Sequence, residues 1–440
     1  MQKKLSNIFE FRAFSNLSEN EKRTFILHLI YSIIDGLILG LFALNEFILV
    51  KSLKGSNYQI GFLFQFTVIV LLLSIIINEV LKRIKRKKKL IRYVAIFTRI
   101  PLIFFVFFPK NIEELSANIS FPIVFLLIFL IYYLANTLLF PAINHLLKNS
   151  YSNENFGKLY GYSSTVNKIM MLISTFLFGL ILDFDNYAFT YIYPLVALLG
   201  ILSIYILTKI EYEAYLIPLV KDKISVSIKS SFINMVAIFK NNKPFRDFEI
   251  SFMYYGFAWM STAAVITIFF EKSLNLNYSS IAFYKNAYNT LAIITLPYFG
   301  NLIGKIDPRK FAIFTFGSML MHLFFMALTE FFPFYFDFFG LKIYYTLIIS
   351  YVFYGIFSAT MALLWYIGSA YFCKNEEAAE YQSIHLTVTG LRGVFAPLIG
   401  IFFYELMGFS GVFGISIFTL FIAMYIMYNS IRKQKDITSK

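Results

Sequence analysis

The sequence predicts an all-α membrane protein with twelve transmembrane helices, arranged as two pseudo-symmetric six-helix bundles. Three observations predict it: long apolar stretches recur along the whole chain, basic residues gather in alternate loops, and the second half repeats features of the first. Hydrophobic residues make up 58% of the 440 residues and charged residues only 15%. Soluble domains carry about 25% charged residues, so the composition favours a polytopic membrane protein over several soluble domains.

Twelve apolar segments approach or exceed the run of about 18 residues that a transmembrane helix needs. The predicted spans cover residues 24–50, 58–81, 90–108, 121–147, 158–182, 188–208, 248–270, 278–303, 310–332, 343–372, 380–405 and 409–430.

The distribution of basic residues predicts the orientation. With both termini cytoplasmic, roughly 30 Lys and Arg fall in the inner loops and about 5 in the outer ones, which is the positive-inside pattern. The inner group includes "KRIKRKKKLIR" at 82–92. We therefore expect a multi-pass protein of the cytoplasmic (inner) membrane, whose net charge of +14 faces anionic lipid instead of nucleic acid.

The longest polar break, residues 209–247, separates an N-terminal bundle (1–208) from a C-terminal bundle (248–440). Within it, "SVSIKSSFINMVAIFK" at 225–240 spaces its apolar residues as one face of a helix. This spacing predicts a cytoplasmic linker with a helix that lies on the membrane face. A plain linker with some helix fits the same residues.

The chain repeats itself at a shift of 221 residues (272 − 51). "KSL" at 51 returns at 272, and "IGF" at 60 returns as "IAF" at 281. A Tyr and a Gly nineteen residues apart also recur at this shift. A parallel repeat of two six-span halves is a known transporter plan, in which the solute site lies between the halves near the bilayer midplane.

The loop after the second span of each half carries a basic motif. "GNLIGKIDPRK" at 300–310 contains Lys305 and Arg309, and "NEVLKRIKRKK" at 78–88 contains Arg83. In these loops, and in its topology over all 440 residues, the chain resembles the major facilitator superfamily, whose motif reads G-x-x-x-D-R-x-G-R-R. The resemblance implies that superfamily's fold and a gating role for the basic residues.

One departure from the family motif concerns its aspartate, which normally takes part in a cytoplasmic charge latch. That position holds Lys82 in the first half and Gly304 in the second. Glu79 lies one turn from Lys82 and is expected to substitute. The predicted gating residues are Glu79, Arg83, Lys305 and Arg309.

Two cations occupy similar depths in spans five and eleven. A charge at mid-membrane costs at least about 2.5–3.5 kcal/mol, so such residues rarely face lipid. The 221-residue shift aligns Lys168 with Thr389, one turn before Arg392, and in the resembled family both helices flank the central cavity. Either the two cations line a solute cavity, or they form structural ion pairs with Asp35, the clearest acid within a span. Asp35 is also the candidate for carrying a proton.

Further polar residues extend the predicted site. His385 lies seven residues before Arg392 and shares its helix face, while Lys285 either faces the cavity or snorkels to the outer interface. Asparagines of span four and a tryptophan of span ten are candidates to hold an organic solute, since those spans line the cavity in the resembled family. The predicted substrate-binding residues are Asp35, Asn136, Asn144, Lys168, Lys285, Trp365, His385 and Arg392.

The sequence carries no phosphate-binding glycine loop and no H-E-x-x-H or G-x-S-x-G motif. We therefore expect no enzyme, no cofactor and no metal site. The predicted function is secondary active transport of a small organic solute by alternating access. Because cations outnumber acids within the spans, we expect an anionic group on that solute, and proton coupling remains open.

The expected partners are the solute, membrane lipids and protons, without nucleic acid, and the protein is expected to be a monomer. Two alternatives fit the same sequence. One is efflux of lipophilic compounds or drugs through an aromatic cavity. The other is a non-transporting protein of this fold, such as a scramblase or an assembly partner, which the missing latch acids favour.

Overall fold

The computed structural model describes residues 17–81, 87–117, 120–211, 224–303, 305–374 and 377–438. Nearly all of them are helical. The helices of the first half are α1 (Glu19–Phe42), α2 (Asn57–Leu81), α3 (Lys87–Arg99), the short α4 (Ile112–Ala117), α5 (Ser120–Lys148), α6 (Asn153–Phe184) and α7 (Phe189–Leu207).

Two segments extend helices of the first half. Beyond α1 the chain passes through a helical turn, Asn45–Phe47, and a π-helical turn, Ile48–Ser52. Beyond α3 it tightens into a 3₁₀ segment, Ile100–Phe107, whose second residue is Pro101. Proline lacks the N–H that an α-helix needs, so the α-helical hydrogen-bond pattern breaks at this point.

The second part begins with α8 (Ile224–Asn241), which occupies the predicted linker. The elements that follow are α9 (Lys243–Lys272), α10 (Tyr278–Ile303), α11 (Pro308–Phe331), β1 (Tyr335–Phe338), β2 (Leu341–Tyr344), α12 (Tyr345–Ile367), a 3₁₀ turn (Ser369–Phe372) and α13 (Ala378–Thr438). The strands form an antiparallel hairpin in which Tyr335 pairs with Tyr344.

The long α13 is two helices joined at a bend. Gly408 has φ of +70° and ψ of −170°, a conformation that residues with a Cβ rarely adopt. The arms before and after Gly408 correspond to predicted spans eleven and twelve. The bend lets the second arm run back along the first, as a polytopic bundle requires.

Within the described part of the chain, nine helical segments are long and apolar enough to cross a membrane, and one of these contains both arms of α13. Helices α2 and α10 are not among them, but they lie where spans two and eight were predicted. The predicted all-α membrane fold is confirmed, and the twelve predicted spans are consistent with these helices.

Polar residues fix several helix starts. The Ser18 hydroxyl accepts from the Glu21 amide, and the Glu21 carboxylate accepts from the Ser18 amide, which forms a capping box on α1. Asn242 caps α9 by accepting from the Phe245 amide at 3.1 Å. These caps satisfy backbone donors that the first turn leaves without a partner.

The bundle has two ends, a terminal end and a far end. At the terminal end α1 begins and α13 ends; Arg23 pairs with Glu211 at 2.9 Å, and Arg309 donates to Gln434 at 2.6 Å. The far end contains Ile48–Ser52 and the end of α9. The charge pattern of the loops predicts that the far end faces the outside.

The halves meet along two related interfaces, α6 with α10 and α2 with α13. Asn286 on α10 donates to the Leu172 carbonyl on α6 at 2.8 Å. Gln65 on α2 donates to the Val394 carbonyl on α13. Gln65 shifted by the repeat length of 221 is Asn286 (65 + 221), so the two carboxamides occupy equivalent positions. We call these two hydrogen bonds the amide clamps.

Candidate functional site

A cavity of about 220 Å³ lies between the two halves, and we call it the central cavity. The extension of α1 and helix α2 supply its walls on one side, and α9 to α13 supply the other. Its lining residues include Glu46, Phe47, Phe64, Thr67, Val68, Trp259, Met260, Thr262, Phe270, Lys285, Tyr288, Met319, His322, Tyr351, Tyr354 and Pro397.

An ion pair between the halves lies in the wall of the central cavity. Lys285 of α10 contacts the Glu46 carboxylate and donates to the Ala43 carbonyl at 2.6 Å. The side chains of Lys285 and Glu46 are 22% and 13% exposed. Opposite charge and the additional acceptor compensate the burial of both groups. Lys285 therefore pairs across the halves and does not snorkel to the interface, which corrects that alternative.

Another part of the lining of the central cavity is aromatic, and its polar side chains form hydrogen bonds to uncharged partners. The His322 Nδ1 lies 2.8 Å from the Ser350 hydroxyl, and its ring lies 4.4 Å from that of Tyr354. Trp259 Nε1 donates to the Tyr354 hydroxyl at 3.3 Å, and the Tyr288 ring lies 4.7 Å from Tyr354. Such a wall can pack on the apolar or planar body of a solute while hydroxyl groups set its orientation.

Beyond the central cavity, polar contacts join the halves at the far end. Lys51 pairs with Glu271 at 2.9 Å. The Asp183 carboxylate at the end of α6 accepts from the Tyr278 and Ser279 amides at 2.6 and 2.9 Å. Asp183 therefore caps α10 from the other half. These contacts join the two halves at the far end.

The cations and acid of the predicted site lie apart. Asp35 accepts from Asn167 at 3.1 Å and, with Asn136 and Arg99, lines a separate cavity of about 170 Å³ inside the first half. Lys168 is exposed on α6, one turn from the Leu172 clamp toward the terminal end. Of the two alternatives, the structural ion pair of Asp35 with Lys168 or Arg392 does not form: Asp35 instead accepts a hydrogen bond from Asn167.

Arg392 belongs to a buried polar centre between α9 and α13. Its guanidinium donates to the Phe252 carbonyl and lies 5.4 Å from the Tyr255 ring centroid. Gly256 makes room for it, since a Cβ there would lie 1.7 Å from the Arg392 Cζ. Arg392 is 1% exposed and is absent from the lining of the central cavity.

His385 and Trp365 belong to the same buried centre. His385 Nδ1 lies 2.9 Å from Glu249 Oε1, and both residues are almost fully buried. The Trp365 ring lies 5.0 Å from His385 in a T-shaped arrangement. The shared face of His385 and Arg392 thus packs on α9 within the second half. A solute-binding role for these residues stays a prediction.

The predicted gating residues have different surroundings. Arg309 donates to Asp307 at 2.7 Å and to Gln434 at 2.6 Å, which ties the start of α11 to the end of α13 within one half. Lys305 is exposed. Arg83 and the side chains of Glu79 and Asn144 lie outside the described part of the structure, so their assignment stays a prediction.

The pKa of the Asp307 carboxyl is lowered. Burial raises the pKa of its carboxyl, but hydrogen bonds from the Arg309 side chain and amide outweigh burial and leave the pKa below its usual value. Asp307 also caps α11, accepting from the Arg309 amide at 2.8 Å. The loop therefore does hold an acid beside its arginine, three residues after the family's aspartate position.

Sequence reasoning missed Glu46, Glu249 and Trp259. Glu46 lies within predicted span one, but near its end, and Glu249 is the second residue of predicted span seven. A search for acids at span ends, in addition to acids in span centres, would have found both. Of the two tryptophans, the predicted site named Trp365, whereas the central cavity contains Trp259.

Comparisons with known proteins agree with the geometry. A family model described as Major Facilitator Superfamily matches residues 24–343, most of the chain. No curated protein sequence gave a significant match.

Solved structures share the fold at low sequence identity. The nucleoside transporter NupG has a TM-score of 0.62 at 14% identity, covering 94% of this chain and 99% of its own. The peptide transporter POT in complex with sulfate has a TM-score of 0.65 at 12% identity, with 93% and 95% covered. A POT family transporter in complex with 5-aminolevulinic acid has a TM-score of 0.67 at 13% identity, with 94% and 97% covered.

Proposed function

The chain belongs to the major facilitator superfamily of membrane transporters, and from this we propose that it carries a small organic solute through the central cavity by alternating access. The protein is a multi-pass membrane protein and not an enzyme. One observation carries the proposal: the central cavity lies between the halves, and the Glu46–Lys285 ion pair in its wall joins them. A solute held there touches both halves, as alternating access about a midplane site requires.

The charges of the central cavity define the proposed solute. Lys285 supplies a cation for a carboxylate or phosphate group, which keeps the expectation of an anionic group. Glu46 supplies an acceptor for an ammonium or another donor, so a solute with both groups satisfies both residues. The small volume of about 220 Å³ and the aromatic wall favour a compact solute with an apolar or planar body.

The same pair supports a mechanism for gating. Lys285 and Glu46 belong to different halves, so the far end opens only when their contact breaks. A solute that offers each residue a new partner lowers the cost of leaving two buried charges unpaired. Solute binding therefore favours separation of the halves at the far end.

Proton coupling is part of the proposal, with Asp35 as the proton-binding residue. Its carboxylate lies beside Arg99 and Asn136 in the cavity of the first half. We expect Asp35→Asn to abolish dependence of solute uptake on a pH gradient while uptake down a solute gradient persists. Unchanged gradient dependence in this variant would remove Asp35 from the coupling step.

The test begins with a solute screen by thermal shift on the purified protein, followed by uptake in proteoliposomes. Lys285→Gln is expected to abolish uptake and the stabilisation by solute. Lys51→Gln is the matched control, because Lys51 also pairs between the halves but does not line the central cavity. Normal uptake by Lys285→Gln, in a variant that remains folded, would contradict the proposal.

The aromatic wall and Glu46 also favour the second candidate, efflux of lipophilic cations. The screen separates the two: stabilisation by amphoteric or anionic solutes supports the first, and stabilisation by lipophilic cations alone supports the second. A non-transporting role is disfavoured, since a closed apolar interface would suit it better than a cavity with an ion pair in its wall.

A further inference from the structure

A third opening lies on the outer surface of the first half, away from the central cavity. It is a groove of about 290 Å³ between α3 and α7, and we call it the lateral groove. Its lining residues are Lys89, Arg92, Tyr93, Ala95, Ile96, Ile201, Ile204 and Tyr205.

The lateral groove faces the surroundings of the bundle. Tyr93 and Tyr205 on its rim are 59% and 47% exposed, and Phe97, on the next turn of α3, is 70% exposed. In a multi-pass membrane protein such an exposed aromatic surface contacts lipid. The groove lies toward the terminal end, since α3 begins at Lys87 and α7 ends at Leu207.

The groove is apolar along its length and basic at the terminal end. Ala95, Ile96, Ile201 and Ile204 form the apolar part, and Lys89 and Arg92 form the basic part. No carboxylate lines it among the residues that the structure describes. An occupant therefore has an apolar chain and an anionic head, which is the chemistry of an anionic phospholipid.

The basic part is held in place before any ligand arrives. Arg92 Nε donates to the Thr208 hydroxyl at 2.7 Å, and its guanidinium lies 5.2 Å from the Tyr205 ring centroid. The Lys209 ammonium lies 4.9 Å from the same ring. The Nε hydrogen bond uses one donor of the Arg92 guanidinium, which lines the groove, and a guanidinium can bind a phosphate in a bidentate manner through its remaining donors.

We propose that the lateral groove binds an anionic phospholipid, with the headgroup phosphate on Arg92 and Lys89 and an acyl chain along the isoleucines. Lys209 adds charge at the rim. The site rests on the membrane location of the chain and is independent of the proposed transport function. It also gives a binding role to three basic residues at the terminal end, Lys89, Arg92 and Lys209.

The test is native mass spectrometry of the full chain, purified in detergent and titrated with phosphatidylglycerol or phosphatidylcholine. We expect phosphatidylglycerol to bind at least about fivefold more tightly to one saturable site. The double variant Lys89→Gln with Arg92→Gln is expected to lose this preference, with folding checked by thermal unfolding. Lys110→Gln is the matched control, because Lys110 also lies over a tyrosine, Tyr191, but away from the groove.

Three results would overturn the proposal. Equal binding of the two lipids would show that the site does not select an anionic headgroup. Full competition by inorganic phosphate at similar concentration would assign the site to a soluble anion instead of a lipid. An equal loss in Lys110→Gln would show that the preference comes from overall charge and not from the lateral groove.

Discussion

Glutamine substitutions at Glu46 and Lys285, singly and together, test whether this ion pair closes the far end. The two side chains are 13% and 22% exposed. Two unit charges 4 Å apart attract by about 4 kcal/mol at an effective dielectric constant of 20. Because both side chains keep some contact with water, we expect about half of this, about 2 kcal/mol, as coupling free energy. That corresponds to a roughly 30-fold change in the ratio of closed to open far ends.

The assay measures the distance between spin labels at Lys110 and Phe338, two exposed positions in different halves, after replacement of Cys373. Each single variant is expected to increase the population with a long distance. The double variant is expected to change it about as much as one single variant, because the second substitution removes a charge that is already unpaired. Additive changes, with coupling under about 0.5 kcal/mol, would refute the reasoning.

The same cycle at Lys51 and Glu271 separates closure from solute binding. These residues also pair between the halves, at 2.9 Å, but neither lines the central cavity. We expect their substitution to open the far end while the affinity for solute stays within about threefold of the native value. Equal loss of affinity in both cycles would mean that binding depends on closure alone.

Other predictions address the second half, the amide clamps and the loop before α11. Gly256→Ala displaces the buried Arg392 guanidinium and should destabilise the protein by about 3–5 kcal/mol in thermal unfolding, whereas Gly317→Ala, with its nearest neighbour at 3.8 Å, should be near neutral. Asn286→Leu removes one of the amide clamps. It should shift the free energy between the closed and open states by about 0.5–1.5 kcal/mol toward the open state, measured with the same spin labels. Because its pKa is lowered in the folded state, the ionised Asp307 carboxylate stabilises the fold at pH values above its unfolded pKa of about 3.9. This stabilisation is lost as the pH falls through the folded pKa. Asp307→Asn should therefore lower Tm at pH 7, and its difference in Tm from the native protein should shrink as the pH falls below about 3.9.

Much of the fold was predictable from the sequence, because helix formation in a bilayer depends on local composition. The apolar runs give the spans, and the 221-residue repeat relates the halves. The repeat even anticipates geometry, since Gln65 and Asn286 are equivalent in sequence and form the equivalent amide clamps. The bend of α13 follows from Gly408, whose φ of +70° only glycine adopts readily.

The candidate site was less predictable, because it depends on contacts between distant residues. Lys285 was identified as a charge within a span, but its partner Glu46 lies 239 positions earlier (285 − 46). No local pattern links the two. Arg392 was identified by the same rule, yet its environment depends on Gly256, a small residue on another helix that only the packing makes relevant.

The separation of Asp35 from Arg392 has the same cause. Both are intramembrane charges, and sequence reasoning assumed that opposite charges pair. Each one has a hydrogen-bond partner within its own half: the Asn167 amide donates to Asp35, and one guanidinium nitrogen of Arg392 donates to the Phe252 carbonyl. Neutral hydrogen-bond partners are numerous in helices, so an intramembrane charge does not require a charged partner.

The most direct test of the central claim is an electron cryo-microscopy structure of the protein with the solute that stabilises it most in the thermal-shift screen. We predict density for that solute in the central cavity, with its anionic group within hydrogen-bond distance of Lys285 and its body against Tyr354. Solute density beside Asp35 in the first half, or beside His385 and Arg392 in the second, would contradict the account.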